Sequence, residues 1–270
     1  MKITFLGGGN MANALIGGML KQGIGAADIS VIDPSADARV SLAATYAVSC
    51  VESAETLSGV GNLLVLAVKP QQMREAVAPL VGRLGDAVVV SIAAGLDMAT
   101  LSRWLGGHRR IVRCMPNTPA LIGAGITGLC ALPEVSDDER AAADRLLRSV
   151  GTTVWITDEV RMDAVTALSG SGPAYVFMFI EALEQAAADL GFTPEQGRQL
   201  AIGTVQGAAA LAAQSAEPAS VLRERVTSKG GTTEAALGIM TKKGVGEGIV
   251  AGVKAAETRG RELGKLLGAI

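Results

Sequence analysis

Short apolar runs alternate with helix-like stretches through the first part of the chain. The runs are almost continuously apolar, which is typical of parallel strands that helices cover on both faces. An amphipathic helix is expected from Asp137 to Val150, just before the last of these runs. Strands and helices that alternate at this spacing predict an α/β fold with a doubly wound parallel sheet. The predicted strands cover residues 3–6, 28–33, 62–68, 87–92, 110–115 and 154–156.

The alternation ends near Glu159, and the rest of the chain is Ala-rich and helical. We therefore predict two domains, a dinucleotide-binding domain over 1–158 and an all-α domain over 159–270. The stretch 175–180 is apolar all round, and so small a helical domain could hardly bury it alone. A second subunit is expected to cover this stretch, which makes the helical domain a dimerisation domain. The alternative is the central helix of a monomeric bundle.

A glycine-rich turn follows the first predicted strand. Gly7, Gly9 and Ala12 fit the Gly-x-Gly-x-x-Gly/Ala fingerprint of Rossmann-like dinucleotide-binding units. The first glycine allows the tight turn, the second lets the backbone approach a pyrophosphate, and the third small residue lets the helix pack close to its strand. Phosphate oxygens would accept hydrogen bonds from the N–H groups at the helix start. The alternative is a glycine turn in a βα unit that binds no nucleotide.

Asp33 ends the second predicted strand, at about the distance from Gly9 where a ribose-binding carboxylate is expected. A carboxylate there accepts from a ribose 2′-hydroxyl and repels a 2′-phosphate, which favours NAD. Ser35 and Arg39 nearby could still serve NADP, so the choice of coenzyme stays open. The alternative is that Asp33 is only a turn residue before Pro34.

Lys69 directly follows the predicted strand 62–68, and Asn117 lies two residues after the predicted strand 110–115. Ligands of doubly wound sheets bind at the carboxyl ends of the strands, which is where both residues are expected. Each has an alternative role: Lys69 as a solvated loop lysine, and Asn117 as a turn former between two prolines.

A second glycine-opened helix start is predicted in the helical domain, over 227–233. The N–H groups of Gly230 and Gly231 would lie at the mouth of a helix that begins near Thr233, and such a mouth can hold a carboxylate. The hydroxyls of Ser228, Thr232 and Thr233 could bond a second polar atom of the same small ligand. The alternative is a capped helix start after a flexible loop.

Charge and cysteine usage exclude several kinds of partner. The chain carries 24 basic and 26 acidic residues, a formal charge of −2, so no nucleic acid and no anionic membrane is expected as a partner. Cys50, Cys114 and Cys130 lack the spacing of a disulfide framework or a zinc site, so we expect buried thiols and no metal. No leader and no apolar run of membrane-spanning length is recognisable, so a cytoplasmic protein is expected.

Six motifs occur in the order seen in pyrroline-5-carboxylate reductases, and the chain resembles this family over nearly its whole length. The first motif is shared by many dehydrogenases, whereas the last two with their spacing are specific to the family. The resemblance implies reduction of 1-pyrroline-5-carboxylate, a cyclic imino acid, to L-proline, the last step of proline synthesis. It favours NADPH, with NADH left open by Asp33, and implies helical domains that interlock as a homodimer, with further assembly in several members. The motifs cover residues 5–12, 67–70, 91–95, 115–119, 169–175 and 227–233.

The resemblance also implies which residues form the site, with two departures. The sequence from Asp33 to Ser35 replaces the pattern of many NADP-preferring members, and Arg225 stands where some relatives carry an asparagine that reaches the cofactor. Together with the hydroxyls considered above, the predicted substrate-binding residues are Glu159, Ser228, Gly230, Gly231, Thr232 and Thr233. The predicted cofactor-binding residues are Gly7, Gly8, Gly9, Asn10, Met11, Ala12, Asp33, Pro34, Ser35, Ala67, Val68, Lys69, Pro70, Ala93, Ala94, Gly95 and Asn117, the last on the nicotinamide side.

Catalysis would consist mainly of holding the nicotinamide and the substrate ring face to face for hydride transfer to the C=N carbon. No proton donor is evident, because the single histidine, His108, lies in a loop-like stretch and is expected to be exposed. We therefore expect the substrate to enter as the iminium and the Thr233 hydroxyl to orient its nitrogen. Ser171 is a weaker candidate whose alternative role is to cap the next helix. A related reductase for another cyclic imine or a hydroxy acid, and a non-catalytic dinucleotide sensor, remain open alternatives.

Overall fold

An eight-stranded sheet organises the N-terminal part of the chain in the computed structural model, which describes residues 1–57 and 59–268. The strand order is β3-β2-β1-β4-β5-β6-β7-β8. All neighbouring strands run parallel except β6 and β7, which are antiparallel. The predicted α/β fold is therefore confirmed. The strands are β1 (Ile3–Leu6), β2 (Ile29–Ile32), β3 (Ser49–Val51), β4 (Leu63–Leu66), β5 (Val88–Ser91), β6 (Ile111–Met115), β7 (Gly125–Ala131) and β8 (Gly151–Trp155).

The central strands are apolar on both faces because a separate core covers each face. In β1, Phe5 belongs to one core and its neighbour Leu6 to the other, as the two-residue period of a strand requires. Leu15 and Ile16 of the first helix pack in the core with Phe5. Met73 packs in the core with Leu6. The continuous hydrophobic runs in the sequence follow from this arrangement.

Helices flank the sheet in the sheet-containing part of the chain, and a helical segment follows it. The predicted helix over 137–150 is confirmed, and it begins with a capping box between Ser136 and Glu139. The helices are α1 (Asn10–Lys21), α2 (Ala36–Tyr46), α3 (Met73–Val77), α4 (Met98–Trp104), α5 (Asp137–Arg148), α6 (Met162–Val165), α7 (Gly172–Asp189), α8 (Pro194–Gln214), α9 (Ala219–Arg225), α10 (Thr232–Lys242) and α11 (Val245–Gly268).

Two strands, β3 and β7, are absent from the sequence-based prediction. β3 has three residues, and its side chains are exposed or half-buried, so it forms no apolar run. β7 contains Gly125, Thr127 and Gly128, which interrupt the hydrophobic pattern. A Cβ on Gly128 would lie 2.6 Å from Cγ1 of Val165, so the glycine is required for α6 to pack on the sheet.

The chain divides into two compact units, Gly172–Lys254 and the rest, which comprises Met1–Ser171 and the chain from Ala255 onward. The segment after residue 158 belongs to the sheet unit because Met162 is fully buried in its core. The end of α11 also belongs to the sheet unit, because it packs closely on the loop after β5. A Cβ on Gly264 would lie 3.0 Å from the carbonyl oxygen of Gly95. These units differ from the expected domains 1–158 and 159–270, and the domain boundary stays a prediction.

The helical unit has almost no core of its own. Ala187 of α7 and Gly197 and Ala201 of α8 are the buried residues among its described helices. Phe177 and Met178 are 59% and 63% exposed. The stretch that the sequence marks as apolar all round is therefore uncovered in the single chain. None of the helices in the described part combines the length and apolarity that a membrane span requires.

Candidate active site

The glycine turn after β1 has the conformation that the fingerprint predicts. Gly7 has φ +97°, and a Cβ there would lie 2.8 Å from the carbonyl oxygen of Ala67. Gly9 is the N-cap of α1, and within the described residues no side chain caps it and no atom lies within 4 Å of the place for its Cβ. Ala12, in the first turn of α1, is buried. The first N–H groups of α1 are thus placed to bind an anion such as a pyrophosphate.

Asp33 connects the glycine turn to the end of β2. Its Oδ2 accepts from the backbone N–H of Gly8 at 2.7 Å, and its Oδ1 accepts from that of Ser35 at 2.8 Å. Arg39 donates to the carbonyl oxygens of Asp33 and Pro34, at 2.7 and 2.9 Å. Asp33 therefore has the turn-forming role that the sequence left as an alternative. Each carboxylate oxygen can accept a second hydrogen bond, so a ribose contact stays a prediction.

The sheet brings several predicted cofactor residues to one edge. β1, β4 and β5 are neighbours, so the turns at 7–12, 67–70 and 93–95 all follow carboxyl ends of adjacent parallel strands. Lys69 is exposed before the short turn Pro70–Gln72. Such an edge is where doubly wound sheets bind their ligands.

Asn117 is buried, with 9% of its surface exposed. Its Oδ1 accepts from the N–H of Ile126 in β7 at 3.0 Å, and its Nδ2 donates to the carbonyl oxygen of Ser169 at 3.2 Å. The structure thus supplies two protein partners for this side chain, and its predicted place on the nicotinamide side, which the family resemblance implies, stays a prediction.

Glu159 lies in a charged cluster that sequence reasoning missed. Arg113 in β6 donates to Glu159 Oε1 at 3.1 Å and to Asp163 Oδ1 at 3.3 Å, and its side chain is only 7% exposed. The same Oε1 accepts from the N–H of Met98 at 2.7 Å, at the start of α4. An arginine inside an otherwise apolar strand was the available signal, because a buried charge requires partners. The substrate contact of Glu159 stays a prediction.

The predicted second helix start is confirmed as the beginning of α10 at Thr232. Its N-cap is Gly231, which no side chain of the described chain caps, and Gly230 has φ +74°. The N–H of Gly230 donates to Glu234 Oε2 at 2.6 Å, and that of Gly231 donates to the carbonyl of Ser228 at 3.0 Å. Both glycine amides thus have partners within the chain, Glu234 in α10 and Ser228 in the loop.

The amides left without an intrahelical partner at this start are those of the first helical turn. Of the residues in this turn, Thr232 is exposed and Thr233 is half-buried. Arg225, at the position where some relatives carry asparagine, donates to Glu217 at 2.8 Å. The starts of α1 and α10 belong to different compact units, and their meeting around one pair of ligands stays a prediction.

The histidine and the three cysteines have surroundings that give them no evident part in the site. His108 is half-buried rather than exposed, because its Nε2 is within hydrogen-bond distance, 2.9 Å, of the carbonyl oxygen of Ala87. Cys114 and Cys130 are buried and Cys50 is half-buried, and all three are free thiols in the described structure. Burial raises the pKa of each thiol above its ordinary value. Within the described residues no cluster of His, Cys, Asp and Glu could hold a metal ion.

Known proteins resemble this chain over nearly its full length. The pyrroline-5-carboxylate reductase from Pseudomonas aeruginosa is 43% identical over 99% of this chain and 98% of that protein. The one from Haemophilus influenzae is 41% identical over 97% of each. The family model for pyrroline-5-carboxylate reductase dimerisation matches residues 159–263, and that for NADP oxidoreductase, coenzyme F420-dependent, matches residues 2–95.

Solved structures agree with these relatives. A pyrroline-5-carboxylate reductase from Coxiella burnetii superposes with a TM-score of 0.92 at 37% identity, covering 97% of this chain and 98% of that one. The Plasmodium falciparum pyrroline carboxylate reductase with NADP bound gives a TM-score of 0.87 at 29% identity, covering 98% of each chain. This chain belongs to the pyrroline-5-carboxylate reductase family.

Proposed function

We propose that this chain reduces 1-pyrroline-5-carboxylate to L-proline with NAD(P)H. The observation that carries the proposal is the uncapped start of α1, opened by Gly7 and Gly9 at the carboxyl edge of the sheet. The choice of substrate rests on relatives that match nearly the whole chain and are named pyrroline-5-carboxylate reductase.

The residues at the sheet edge fit a dinucleotide. The open space at Gly9 leaves room for a pyrophosphate on the N–H groups of Asn10 to Ala12. Asp33 and Ser35 would lie toward the adenosine ribose, the loops at 67–70 and 93–95 along the middle, and the loop of Asn117 on the nicotinamide side. The coenzyme, when bound, supplies the hydride. The chain would hold the coenzyme mainly through backbone contacts. A relative with NADP bound favours NADPH, and Asp33 leaves NADH open.

The first turn of α10 would bind the substrate. The N–H groups of Thr232 and Thr233 can donate hydrogen bonds to a carboxylate, because a helix start favours negative charge. The Thr233 hydroxyl would accept a hydrogen bond from the ring N–H of the iminium and so orient the electrophilic carbon. The substrate arrives protonated, so the chain need not supply a proton. Glu159 would present its negative charge toward the positive ring.

We propose a homodimer formed through the helical unit. The exposed apolar side chains of α7 and the near-absence of a core in the described helices support a partner that covers them. The matching of residues 159–263 to a dimerisation family model supports the same conclusion. Further assembly and a cytoplasmic location stay predictions.

The test is the spectrophotometric oxidation of NADPH, with NADH run in parallel, on addition of 1-pyrroline-5-carboxylate. We expect substrate-dependent oxidation that yields proline in equal amount. A chain that binds NADPH but oxidises none would be a sensor, and oxidation only with other imines or with keto acids would identify a different reductase.

Replacing Thr233 by alanine tests the substrate end of the site. We expect Thr233→Ala to lower kcat/KM for 1-pyrroline-5-carboxylate by roughly 10²-fold, because the ring loses the group that orients it. The dissociation constant of NADPH should stay within about threefold of the wild type, since that ligand binds at the start of α1. Thr241→Ala, at the other end of α10, is the matched control and should retain wild-type kinetics. An equal loss of NADPH affinity in Thr233→Ala would contradict the assigned role.

A further inference from the structure

The chain leaves the sheet unit through a helical turn with an extra residue. Thr166–Gly170 forms a π-helical turn, and the N–H of Ser171 donates to the carbonyl of Thr166, five residues back, at 2.8 Å. Such turns are rare in proteins, and those that occur are often found at functional sites. This turn contains the beginning of the Ser/Gly motif at 169–173, and the first segment of the sheet unit, Met1–Ser171, ends directly after it.

The proline that ends this motif removes a hydrogen-bond donor. In a continuous α-helix the carbonyl of Ser169 would accept from the N–H of residue 173, four positions later. Pro173 has no N–H, so this carbonyl needs another partner. Asn117 supplies it, because its Nδ2 donates to the Ser169 oxygen at 3.2 Å.

The other end of the Asn117 amide holds the sheet. Its Oδ1 accepts from the N–H of Ile126 at 3.0 Å. Because Ile126 offers a donor and Ser169 an acceptor, only one orientation of the amide satisfies both. One buried side chain therefore links the end of β6, the start of β7 and the π-helical turn.

Two glycines let this turn lie directly on the strands. A Cβ on Gly170 would lie 2.7 Å from Cε of Met115 in β6. A Cβ on Gly128 would lie 2.6 Å from Cγ1 of Val165, the residue before the turn. A displacement of the turn would therefore displace the carboxyl end of β6, which leads into the loop of Asn117.

We infer that Asn117 is a positioning residue, whose side chain holds the π-helical turn against the strand ends and thereby sets the nicotinamide-side loop. This inference rests on the proposed function for its kinetic consequences. The side chain acts through the carbonyl of Ser169 and the N–H of Ile126, and in the proposed function the coenzyme would meet the backbone of this loop.

The first test measures the turn directly, without activity. In Asn117→Ala, amide hydrogen exchange of a peptide that spans 162–172 should be faster than in the wild type by about tenfold, because the turn loses its anchor. Pro173→Ala in the same chain restores an N–H four residues after Ser169. The double variant should therefore recover most of the protection, whereas Pro173→Ala alone should change it little.

The second test measures the reaction in the same variants. Asn117→Ala should lower kcat by roughly ten- to a hundredfold with less than about threefold change in the dissociation constant of NADPH, because misplacement affects hydride transfer more than binding. The double variant should regain part of kcat. Asn62→Ala is the control and should match the wild type. It removes the side chain that accepts a hydrogen bond from the N–H of Lys2, at a place distant in sequence from Asn117.

Three results would overturn the inference: unchanged exchange in Asn117→Ala, a loss of NADPH affinity as large as the loss of kcat, or no recovery in the double variant. If Asn117→Ala does not fold, Asn117→Asp replaces it, because aspartate keeps the acceptor for Ile126 and removes the donor to Ser169. A wild-type chain that does not reduce 1-pyrroline-5-carboxylate would refute the proposed function, and the exchange test would still decide the role of Asn117.

Discussion

Gly7 and Gly9 are glycines for different reasons although they belong to one turn. Gly7 has φ +97°, and its missing side chain leaves space that the backbone of Ala67 occupies. Gly9 has φ −70°, a value open to any residue, and no described atom lies near the place for its Cβ. The fold therefore requires the first glycine, whereas the second is explained by a ligand that approaches the backbone.

Alanine at each position should separate these two roles. Gly7→Ala should lower the free energy of unfolding by about 1 to 3 kcal/mol, because it combines a positive φ with a backbone clash. Gly9→Ala should change stability by about 0.5 kcal/mol at most. It should raise the dissociation constant of NADPH by about tenfold, a difference of 1.4 kcal/mol. Denaturant unfolding and NADPH titration measure the two effects, and equal destabilisation by both substitutions would contradict this division.

At the scale of elements, the carboxylate of Asp144 joins α5 to β8. It accepts from Thr153 Oγ1 at 2.7 Å, from Arg148 Nε at 2.5 Å and from Trp155 Nε1 at 3.2 Å. Burial alone would raise the pKa of Asp144, but the hydrogen bonds from Thr153 and Arg148 and the charge of Arg148 outweigh it and hold the pKa below its ordinary value. The ionised form of Asp144 therefore stabilises the edge of the sheet.

This depressed pKa predicts a stability loss in acid. The contribution of Asp144 is present above the pKa of an unfolded aspartate, about 3.9, and is lost as the pH falls through the lower folded value. Asp144→Asn should be about 1 kcal/mol less stable than the wild type at pH 7, and the difference should shrink as the pH falls below about 4. Asp138→Asn, an exposed residue of the same helix, controls for the change in net charge. A difference that is independent of pH would contradict the assignment.

At the scale of the whole molecule, the two compact units differ in how they are stabilised. The sheet unit buries a core on each face of its sheet, with Phe5 and Leu64 fully buried. The helical unit leaves Val176, Phe177 and Met178 exposed by 44%, 59% and 63%. Exposed apolar surface of this kind marks an interface, which supports the proposed homodimer.

Charged substitutions on α7 should abolish this assembly. Phe177→Glu and Met178→Glu should each raise the dissociation constant of the dimer by at least about 10²-fold, because a buried unpaired carboxylate is costly. Sedimentation equilibrium measures the change. Val40→Glu, on the 69% exposed Val40 of α2, is the matched control and should leave the assembly unchanged. A dimer of wild-type affinity in both α7 variants would place the interface elsewhere.

The parts of the fold and site that sequence reasoning predicted are those with local causes. The turn at Gly7 and the helix start at Thr232 depend on neighbouring residues, and both are confirmed in the structure. β7 was missed because Gly128 breaks its apolar pattern, and that glycine is explained only by Val165 in a later segment. The ligand contacts of the site residues stay predictions.

The sequence by itself determined the alternation of strands and helices apart from β3 and β7, the two glycine-opened helix starts and the apolar stretch over 175–180 in α7, because periodicity and backbone freedom are properties of adjacent residues. Only the tertiary structure decided what the buried polar groups bind. Asn117 meets Ser169, and Arg113 meets Glu159, across 52 and 46 positions of sequence. Such pairings depend on how distant segments pack, since a buried polar group bonds to whichever partner packing brings within reach.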